Sequence, residues 1–336
     1  MQERAETLSE GRWSLGRLLK TSGSFWEACT LHAGVQLDVF TILGDRSMGA
    51  EAVAETIGGD PRATGTLLHA LAAMGLIVKR GETFSNTPES RTFLVRGAPE
   101  YVGFIILHHH HLVPAWSRLP DAVKGGKPVR KKRRGKREIE SFLMGMFNQA
   151  MAIAPNLASE IDLSDRQHLL DLGGGPGTYA IHFCLANPAL EATVFDLATT
   201  RPFALKTIAR FGLKGRIRFR AGDCLKDDLG GPYDAAWLSH LLHSLGPDQC
   251  REVIKRAVSV LTPGGVIFVH DFILKNTLDA PLFPALFSLN MLVNTEAGRA
   301  YSERDIREML SEAGCKDIKR LPFTGPADSG IIKATV

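Results

Sequence analysis

A carboxylate followed by closely spaced glycines has the clearest chemical meaning in this chain. Asp171 comes at the end of the apolar segment Leu169–Leu172, and a glycine-rich stretch follows at once. Its glycines are Gly173, Gly174, Gly175 and Gly177. Glycine has no Cβ and tolerates positive φ, so its backbone can approach a bulky ligand closely. The pattern therefore predicts a ligand-binding turn between a strand and a helix.

The spacing of these glycines distinguishes between classes of ligand. The dinucleotide pattern Gly-x-Gly-x-x-Gly fails, because the sixth position counted from Gly173 is Thr178. No Gly-Lys-Ser/Thr follows, which excludes a P-loop. The turn carries an acid and no base, so it suits a cationic ligand better than a phosphate.

Two further acids follow predicted strands. Asp196 ends the strand Ala192–Asp196, and Asp223 follows the strand Ile217–Ala221. Ligands of open α/β sheets bind at the carboxyl ends of strands, where Asp196 could accept hydrogen bonds from both ribose hydroxyls. Taken alone, Asp196 could be a helix cap and Asp223 a turn residue. Acids at three successive strand ends favour one shared ligand site.

The pattern Asp-x-Gly-x-Gly-x-Gly resembles motif I of the class I S-adenosylmethionine (SAM) methyltransferases. The resemblance extends to the caffeic-acid and acetylserotonin type of O-methyltransferase. It implies SAM as cofactor, whose sulfonium and ammonium suit carboxylates, and a small-molecule acceptor. It also implies that Asp223 meets the adenine amino group and that Cys224 covers the ring face, with Leu197 and Ser239 beside the cofactor.

Methyl transfer to a hydroxyl benefits from a base, because a phenol has a pKa near about 10. The segment Trp237–Cys250 resembles the catalytic stretch of that family, and His243 falls on its catalytic histidine. The resemblance places Asp271 where the family has the carboxylate that holds this ring. His240, three residues earlier, would face nearly the same side of a helical turn and contact substrate or cofactor. Either histidine could instead be purely structural.

The chain departs from the family pattern at two places. Ser244 and Leu245 replace the Asp-Trp that follows the catalytic histidine, and Ala300 stands where a second glutamate is expected. Glu296 is close to that position but out of register. These departures keep C-methylation, or other SAM-dependent chemistry, open as an alternative to O-methylation.

The acceptor pocket is predicted from weaker signals. Phe147 and Met151 resemble a family stretch in which the methionine clamps a flat aromatic substrate, although core packing explains both residues equally well. Other residues expected near the acceptor are Leu107, His108, Trp116 and Asn290. His108 and His111 would share a helix face and could hold a metal, but the family does not lead us to expect one. A histidine-rich wall suggests a polar, larger or metal-bearing acceptor.

Residues 161–336 alternate strand and helix, which predicts an α/β fold with a parallel sheet. The expected strands are Leu169–Leu172, Ala192–Asp196, Ile217–Ala221, Ala235–Ser239, Val266–Phe272, Lys316–Leu321 and Ile331–Thr335. Thr262–Gly265 is expected to be a turn that ends one helix and starts the fifth strand. Seven strands with a C-terminal hairpin match the Rossmann-like methyltransferase domain.

The N-terminal part predicts a winged-helix-like module. Helices over Ala50–Thr56 and Arg62–Met74 are followed by a hairpin that turns at Gly81-Glu82. Such a module binds DNA or mediates dimerisation. Arg62 is the only basic residue of the second helix, so we do not expect nucleic acid as a partner. A SAM-responsive DNA-binding regulator is the alternative that this module leaves open. The resemblance implies a homodimer.

Composition and length complete the expectations. The 336 residues are divided into a dimerisation domain (1–98), connecting helices with a basic loop (99–160) and a catalytic domain (161–336). Five cysteines without a Cys-x-x-Cys pair, and a polar N-terminus without a signal-peptide pattern, predict a cytoplasmic protein. The longest apolar stretch, Ala280–Val293, is too short to predict a membrane span. The basic run Lys127–Arg137 could bind nucleic acid or an acidic partner, but a solvated loop is the favoured interpretation.

Overall fold

The computed structural model describes residues 13–130 and 135–336, and divides into two compact units between His110 and His111. Lys131–Arg134 of the basic run and the N-terminal segment Met1–Glu10 lie outside the described residues. Within the run, Arg130 pairs with Glu138 and donates to Asn294 Oδ1 at 3.2 Å. The three-part division at 98/99 and 160/161 stays a prediction.

The first unit is mostly helical. Its helices are α1 (Leu15–Gly23), α2 (Phe25–Gln36), α3 (Val39–Leu43), α4 (Ala50–Ile57), α5 (Pro61–Ala73) and α6 (Pro88–Leu94), and α7 (Gly103–Trp116) begins in it. Asp60 caps α5 by accepting from Ala63 N at 2.7 Å, and Pro61 stands in the first turn, where its missing N–H costs nothing.

A small sheet completes this unit. The strands β1 (Met48–Gly49), β2 (Ile77–Arg80) and β3 (Thr83–Asn86) have the spatial order β1-β3-β2. The predicted hairpin is confirmed: β2 and β3 pair antiparallel, and Gly81 adopts φ +57° in the turn. The helix α4, the helix α5 and this hairpin follow one another as the sequence indicated.

The second unit alternates helices and strands. Its helices are α8 (Leu119–Gly125), α9 (Lys136–Met151), α10 (Ala154–Glu160), α11 (Thr178–Ala186), α12 (Arg201–Arg210), α13 (Pro247–Ser259), α14 (Leu282–Asn294) and α15 (Glu303–Glu312). Its strands are β4 (His168–Leu172), β5 (Glu191–Asp196), β6 (Ile217–Ala221), β7 (Tyr233–Ser239), β8 (Leu261–Leu274), β9 (Tyr301–Ser302), β10 (Lys316–Arg320) and β11 (Ser329–Thr335).

The sheet order is β10-β11-β8-β7-β4-β5-β6, and β9 pairs with β8 off this path. The strands from β4 to β8 pair in parallel, whereas β11 runs antiparallel to both β8 and β10. This arrangement confirms the predicted α/β fold with its C-terminal hairpin. None of the described helices is long and apolar enough to cross a membrane.

Apolar layers cover both faces of the sheet. Trp237 belongs to one buried cluster and Leu238 to the other, because neighbouring side chains of a strand point to opposite faces. Burial on both faces explains why β4 and β7 read as nearly continuous apolar segments.

One expected turn is wrong. Thr262–Gly265 lies inside β8, which runs unbroken over Leu261–Leu274. The pairing with β7 shifts between Leu261 and Val266, so the extra residues form a bulge. Gly264 adopts φ +78° there, and its N–H donates to Val336 O at 2.9 Å. The glycine thus serves a bulge instead of a connection between helix and strand.

Candidate active site

The carboxyl ends of β6, β5, β4, β7 and β8 meet at one edge of the sheet, because these strands are parallel neighbours. Asp171 lies near the end of β4, Asp196 ends β5 and Ser239 ends β7. Residues up to 68 positions apart in sequence (Asp171 to Ser239) thereby come together where such sheets bind ligands.

Asp171 is fully buried. Its Oδ2 accepts a weak hydrogen bond from Ala180 N at 3.3 Å, and its Oδ1 has no hydrogen bond from any residue in the described ranges. Burial raises the pKa of this carboxyl to about 7. A buried acceptor without a partner is costly in a folded protein, so the site is suited to a cationic or hydrogen-bond-donating ligand.

The glycines after Asp171 are needed for two different reasons. Gly173, Gly175 and Gly177 have φ between +56° and +79°, a region that other residues seldom adopt. Gly174 instead has no room for a side chain, since a Cβ there would lie 2.5 Å from the Asp171 carboxyl group. A Cβ on Gly175 would meet nothing within 4 Å, so the loop has open space beside it.

Asp196 faces the same loop. Its Oδ2 accepts from Gly175 N at 2.8 Å, and its Oδ1 accepts from Leu197 N at 2.6 Å and from Thr200 Oγ1 at 3.0 Å. Burial raises its pKa. The residue before α12 is Thr200, so Asp196 is not the cap of that helix. The Leu197 side chain is 56 % exposed and offers apolar surface beside the carboxylate.

Asp223 and Cys224 lie in the loop after β6. Asp223 Oδ1 accepts from Leu225 N at 3.0 Å, and its Oδ2 lies 3.1 Å from Lys226 Nζ. The Leu225 N–H is the main cause of the lowered pKa of this acid. Asp223 is therefore a turn residue in this structure, and its contact with adenine stays a prediction. Burial raises the pKa of the Cys224 thiol to about 11, which keeps it neutral.

A neutral polar network lies beneath Ser239. Its Oγ lies 2.9 Å from His270 Nδ1 and also forms a hydrogen bond with the Tyr179 hydroxyl. Burial lowers the pKa of His270 well below its usual value, so this ring is uncharged. Sequence reasoning missed Tyr179 and His270; the only signal was a histidine next to Asp271 in β8.

His243 and Asp271 form a close pair. His243 lies in a short 3₁₀ helix, Leu242–Ser244, and its Nδ1 is 2.7 Å from Asp271 Oδ1. Asp271 also accepts from His243 N at 3.3 Å and from Phe272 N at 2.8 Å. Burial alone would raise the pKa of Asp271, but the hydrogen-bonded His243 and the nearby His240 ring hold it well below its usual range. Asp271 is thus an ionised carboxylate that accepts hydrogen bonds from His243 and Phe272.

The helical turn expected to align His240 with His243 is absent. His240 follows β7 directly and adopts φ +52°, and the 3₁₀ helix begins only at Leu242. The two rings nevertheless converge, with centroids 5.9 Å apart, and His240 Nδ1 lies 3.6 Å from Asp271 Oδ1. Their common neighbour is a carboxylate on the adjacent strand, so sheet pairing brings them together.

Three potential metal ligands lie together in this cluster. Donor atoms of His240, His243 and Asp271 are all within 4.8 Å of one another, and no other such group of three occurs in the part of the chain described. The 2.7 Å contact between His243 and Asp271 has the length of a charge-assisted hydrogen bond. The sequence analysis considered His108 and His111 as a different metal site. There, His111 Nδ1 lies 3.0 Å from Ser141 Oγ.

An aromatic cluster borders the two histidines. Phe272 lies 4.5 Å from His240 and 4.6 Å from Phe287, whereas Phe287 meets His243 edge-on at 4.8 Å, measured between ring centroids. Phe283 packs on Phe272 at 5.0 Å and is 41 % exposed. Sequence analysis did not single out these phenylalanines, because apolar residues of a helix and a strand read as core.

The residues predicted for the acceptor pocket are more dispersed. Phe147 is buried on α9, and Met151 Sδ lies 3.3 Å from His182 Nε2. Asn290 Oδ1 accepts from Trp116 Nε1 at 3.0 Å and so links α14 to the end of α7, which lies in the second unit. Leu107 packs against the core of the first unit. His108 is buried and also belongs to the first unit.

Comparison with known proteins places this geometry in a family. The model of the O-methyltransferase domain matches residues 120–316, and that of the O-methyltransferase dimerisation domain matches residues 19–96. A 3-hydroxy-5-methyl-1-naphthoate 3-O-methyltransferase of Streptomyces sahachiroi is 31 % identical over 91 % of this chain and 91 % of its own length. The tetracenomycin polyketide synthesis 8-O-methyl transferase TcmO of Streptomyces glaucescens is 31 % identical over 93 % of this chain and 94 % of its own. Among solved structures, human N-acetylserotonin methyltransferase in complex with SAM superposes with a TM-score of 0.85 at 25 % identity, covering 97 % of this chain and 99 % of that one.

Replacing Gly174 by alanine should destroy the ligand turn. The new Cβ would lie 2.5 Å from the carboxyl group of the fully buried Asp171. Overpacking of this kind costs about 1–3 kcal/mol, so we expect S-adenosylhomocysteine to bind about 5-fold to 150-fold more weakly in calorimetry. Gly215→Ala is the matched control, because a Cβ at Gly215 meets nothing within 4 Å. Equal affinity in both variants would contradict the proposed turn.

The raised pKa of Asp171 predicts pH-dependent binding. A cationic ligand group favours the ionised carboxylate, whereas burial keeps it partly protonated up to about pH 7. The affinity for S-adenosylhomocysteine should therefore fall as the pH drops below 7, approaching about tenfold per pH unit. Asp171→Asn should bind more weakly and lose most of this dependence. A wild-type titration that is flat between pH 5.5 and 8 would contradict the assignment.

Proposed function

We propose, for a chain that belongs to the family of SAM-dependent O-methyltransferases, that His243 is the base that deprotonates a hydroxyl of an aromatic acceptor. The observation that carries the proposal is the 2.7 Å contact between His243 Nδ1 and the buried Asp271 Oδ1. It joins a base, its orienting carboxylate and an aromatic wall at one edge of the sheet.

The pair supports base catalysis through the tautomer of the ring. Asp271 is ionised and can only accept, so the proton of neutral His243 lies on Nδ1 and its Nε2 has a lone pair. When Nε2 takes the acceptor's proton, the carboxylate stabilises the imidazolium that forms. The Asp271 bonds to the backbone N–H groups of His243 and Phe272 hold the carboxylate in position for this role.

The residues at the strand ends fit SAM. Asp171 has an unpartnered buried oxygen, the loop beside it is open at Gly175, and Asp196 holds its carboxylate at the same turn. When bound, SAM supplies a methyl group activated for transfer by its positive sulfur. The chain's own part is then to bind, to orient and to remove a proton, which is mainly positioning.

We infer that the base lies next to this cofactor site. A Cβ on Gly173 would lie 3.0 Å from Leu241 Cδ1, so the segment between the two histidines packs directly on the glycine turn. Ser239, which precedes His240, ends the strand next to β4. The glycine turn and His243 are therefore parts of one site.

The acceptor we propose is a hydroxyl on a fused aromatic ring system. Phe272, Phe283 and Phe287 offer flat apolar surface beside His243, and aromatic rings pack well against such faces. The names of the two relatives specify a hydroxynaphthoate and a tetracenomycin polyketide, which supports this class.

We also infer that the chain acts as a homodimer in the cytoplasm. Large apolar side chains of the first unit are exposed: Trp13, Leu15, Leu18, Leu19, Phe25 and Trp26. An apolar surface of this kind is typical of a protein interface, and it overlaps the matched dimerisation domain. All five cysteines are free thiols, which supports a reducing compartment.

The base role predicts a specific loss of turnover. His243→Asn should lower kcat by roughly 10²–10⁴-fold with an aromatic acceptor, since general base catalysis contributes that much. Its affinity for S-adenosylhomocysteine should stay within about twofold, because the strand-end acids are untouched. His168→Asn, at the opposite end of β4, is the control. Turnover of His243→Asn near the wild-type level would exclude His243 as the base.

The homodimer is tested by placing charge on the exposed apolar surface. The double substitution Leu19→Glu and Trp26→Glu should halve the mass seen in sedimentation velocity, because charges at the centre of an interface are strongly unfavourable. Both side chains are more than 60 % exposed, so the fold of the unit should survive. Lys20→Glu, next to Leu19 on α1, is the control. An unchanged dimer in the double variant would refute this interface.

A further inference from the structure

We propose that His240 is a second acceptor-binding residue that accepts a hydrogen bond from a hydroxyl adjacent to the reacting one. The acceptor would then be an aromatic vicinal diol, gripped by two imidazoles that share one carboxylate. The inference rests on the proposed function, since it takes His243 as the base for the first hydroxyl.

The backbone at His240 is the first observation. With φ +52° it lies in the left-handed region, which costs a residue with a Cβ about 1 kcal/mol or more. Its N–H donates to His270 O at 2.8 Å, and Leu241 beside it packs on the glycine turn. Glycine or asparagine would satisfy this backbone more easily, so the conformation by itself does not explain an imidazole here.

The environment of the His240 ring is the second observation. Its Nδ1 is buried and has no hydrogen bond, but it lies 3.6 Å from the negative Asp271 Oδ1. That distance is too long for a hydrogen bond, yet the charge favours the tautomer with the proton on Nδ1. His240 Nε2 is then a hydrogen-bond acceptor, as His243 Nε2 is.

Exposure distinguishes the two rings. The His240 side chain is 26 % exposed and the His243 side chain 12 %, so His240 is the more accessible imidazole of the pair. The centroid of its ring lies 4.6 Å from that of His270 and 4.5 Å from that of Phe272. The His240 ring is therefore held between a neutral histidine and the aromatic wall. A rigid ring with an available acceptor nitrogen can select among ligands.

A vicinal diol matches this arrangement. The ring centroids of His240 and His243 are 5.9 Å apart, and two O–H···N hydrogen bonds of about 2.8 Å can reach neighbouring oxygens of one aromatic ring. His243 takes the proton of the reacting hydroxyl, and the second hydroxyl keeps its proton while donating to His240. A monohydroxy acceptor would desolvate His240 Nε2 without giving it a partner, which is unfavourable.

Calorimetry on the S-adenosylhomocysteine-loaded protein tests this selectivity with 2,3-dihydroxynaphthalene and 2-naphthol as probes. We expect the wild type to bind the diol about tenfold more tightly than the naphthol, the size of one net hydrogen bond. His240→Gly removes the ring and keeps the left-handed backbone, so its preference should fall below about twofold while its affinity for 2-naphthol is nearly kept. His240→Asn, with an amide oxygen that can accept, should keep part of the preference. His168→Asn is the control.

Several results would overturn the inference. They are equal binding of both probes by the wild type, an equal loss of both in His240→Gly, or binding of neither probe. A wild-type preference for 3-hydroxy-2-naphthoate over the diol would also overturn it, because His240 would then donate to an anion. Uptake of S-adenosylhomocysteine and the turnover of His243→Asn report on the proposed function separately, so the two failures are distinguishable.

Discussion

The buried Asp271 carboxylate is the interaction on which the catalytic edge of the sheet depends. A carboxylate away from water is strongly unfavourable unless donors surround it, and here His243 supplies both its ring and its backbone N–H. The negative charge in turn determines which nitrogen of His243 carries the proton. The same contact thus stabilises the ionised Asp271 and holds His243 in the tautomer that can accept a proton at Nε2.

The opposite condition applies at Asp171. This acid is equally buried but has only one weak hydrogen bond, so its pKa rises to about 7 and part of its hydrogen-bonding capacity is unused. The two acids lie in strands separated only by β7, yet one is satisfied by the protein and the other is not. A site that must bind a cationic ligand needs an acid with unused hydrogen-bonding capacity, such as Asp171. A site that must hold a base needs an acid whose hydrogen bonds are satisfied by the protein, such as Asp271.

Much of the fold was predictable because it follows from local patterns. Each of the seven expected strands of the second unit is present within a few residues. The central ones, β4, β7 and β8, are largely buried and therefore read as apolar runs. The bulge at Thr262–Gly265 was misread as a turn because glycine and proline mark both structures, and only the pairing with β7 tells them apart. The positive φ of Gly173, Gly175 and Gly177 fits what an alternating glycine pattern indicates.

The sequence by itself determined which residue types stand at the strand ends, and hence the glycine turn, the strand-end acids and the kind of ligand they suit. Only the tertiary structure decided which side chains share a neighbour. His240 and His243 meet at Asp271, with Phe272 beside His240 and Phe287 beside His243, because β8 pairs with β7 and α14 packs beside His243. Spacing along one element predicts contacts within about one turn or one strand, whereas contacts between elements depend on packing that no local pattern encodes.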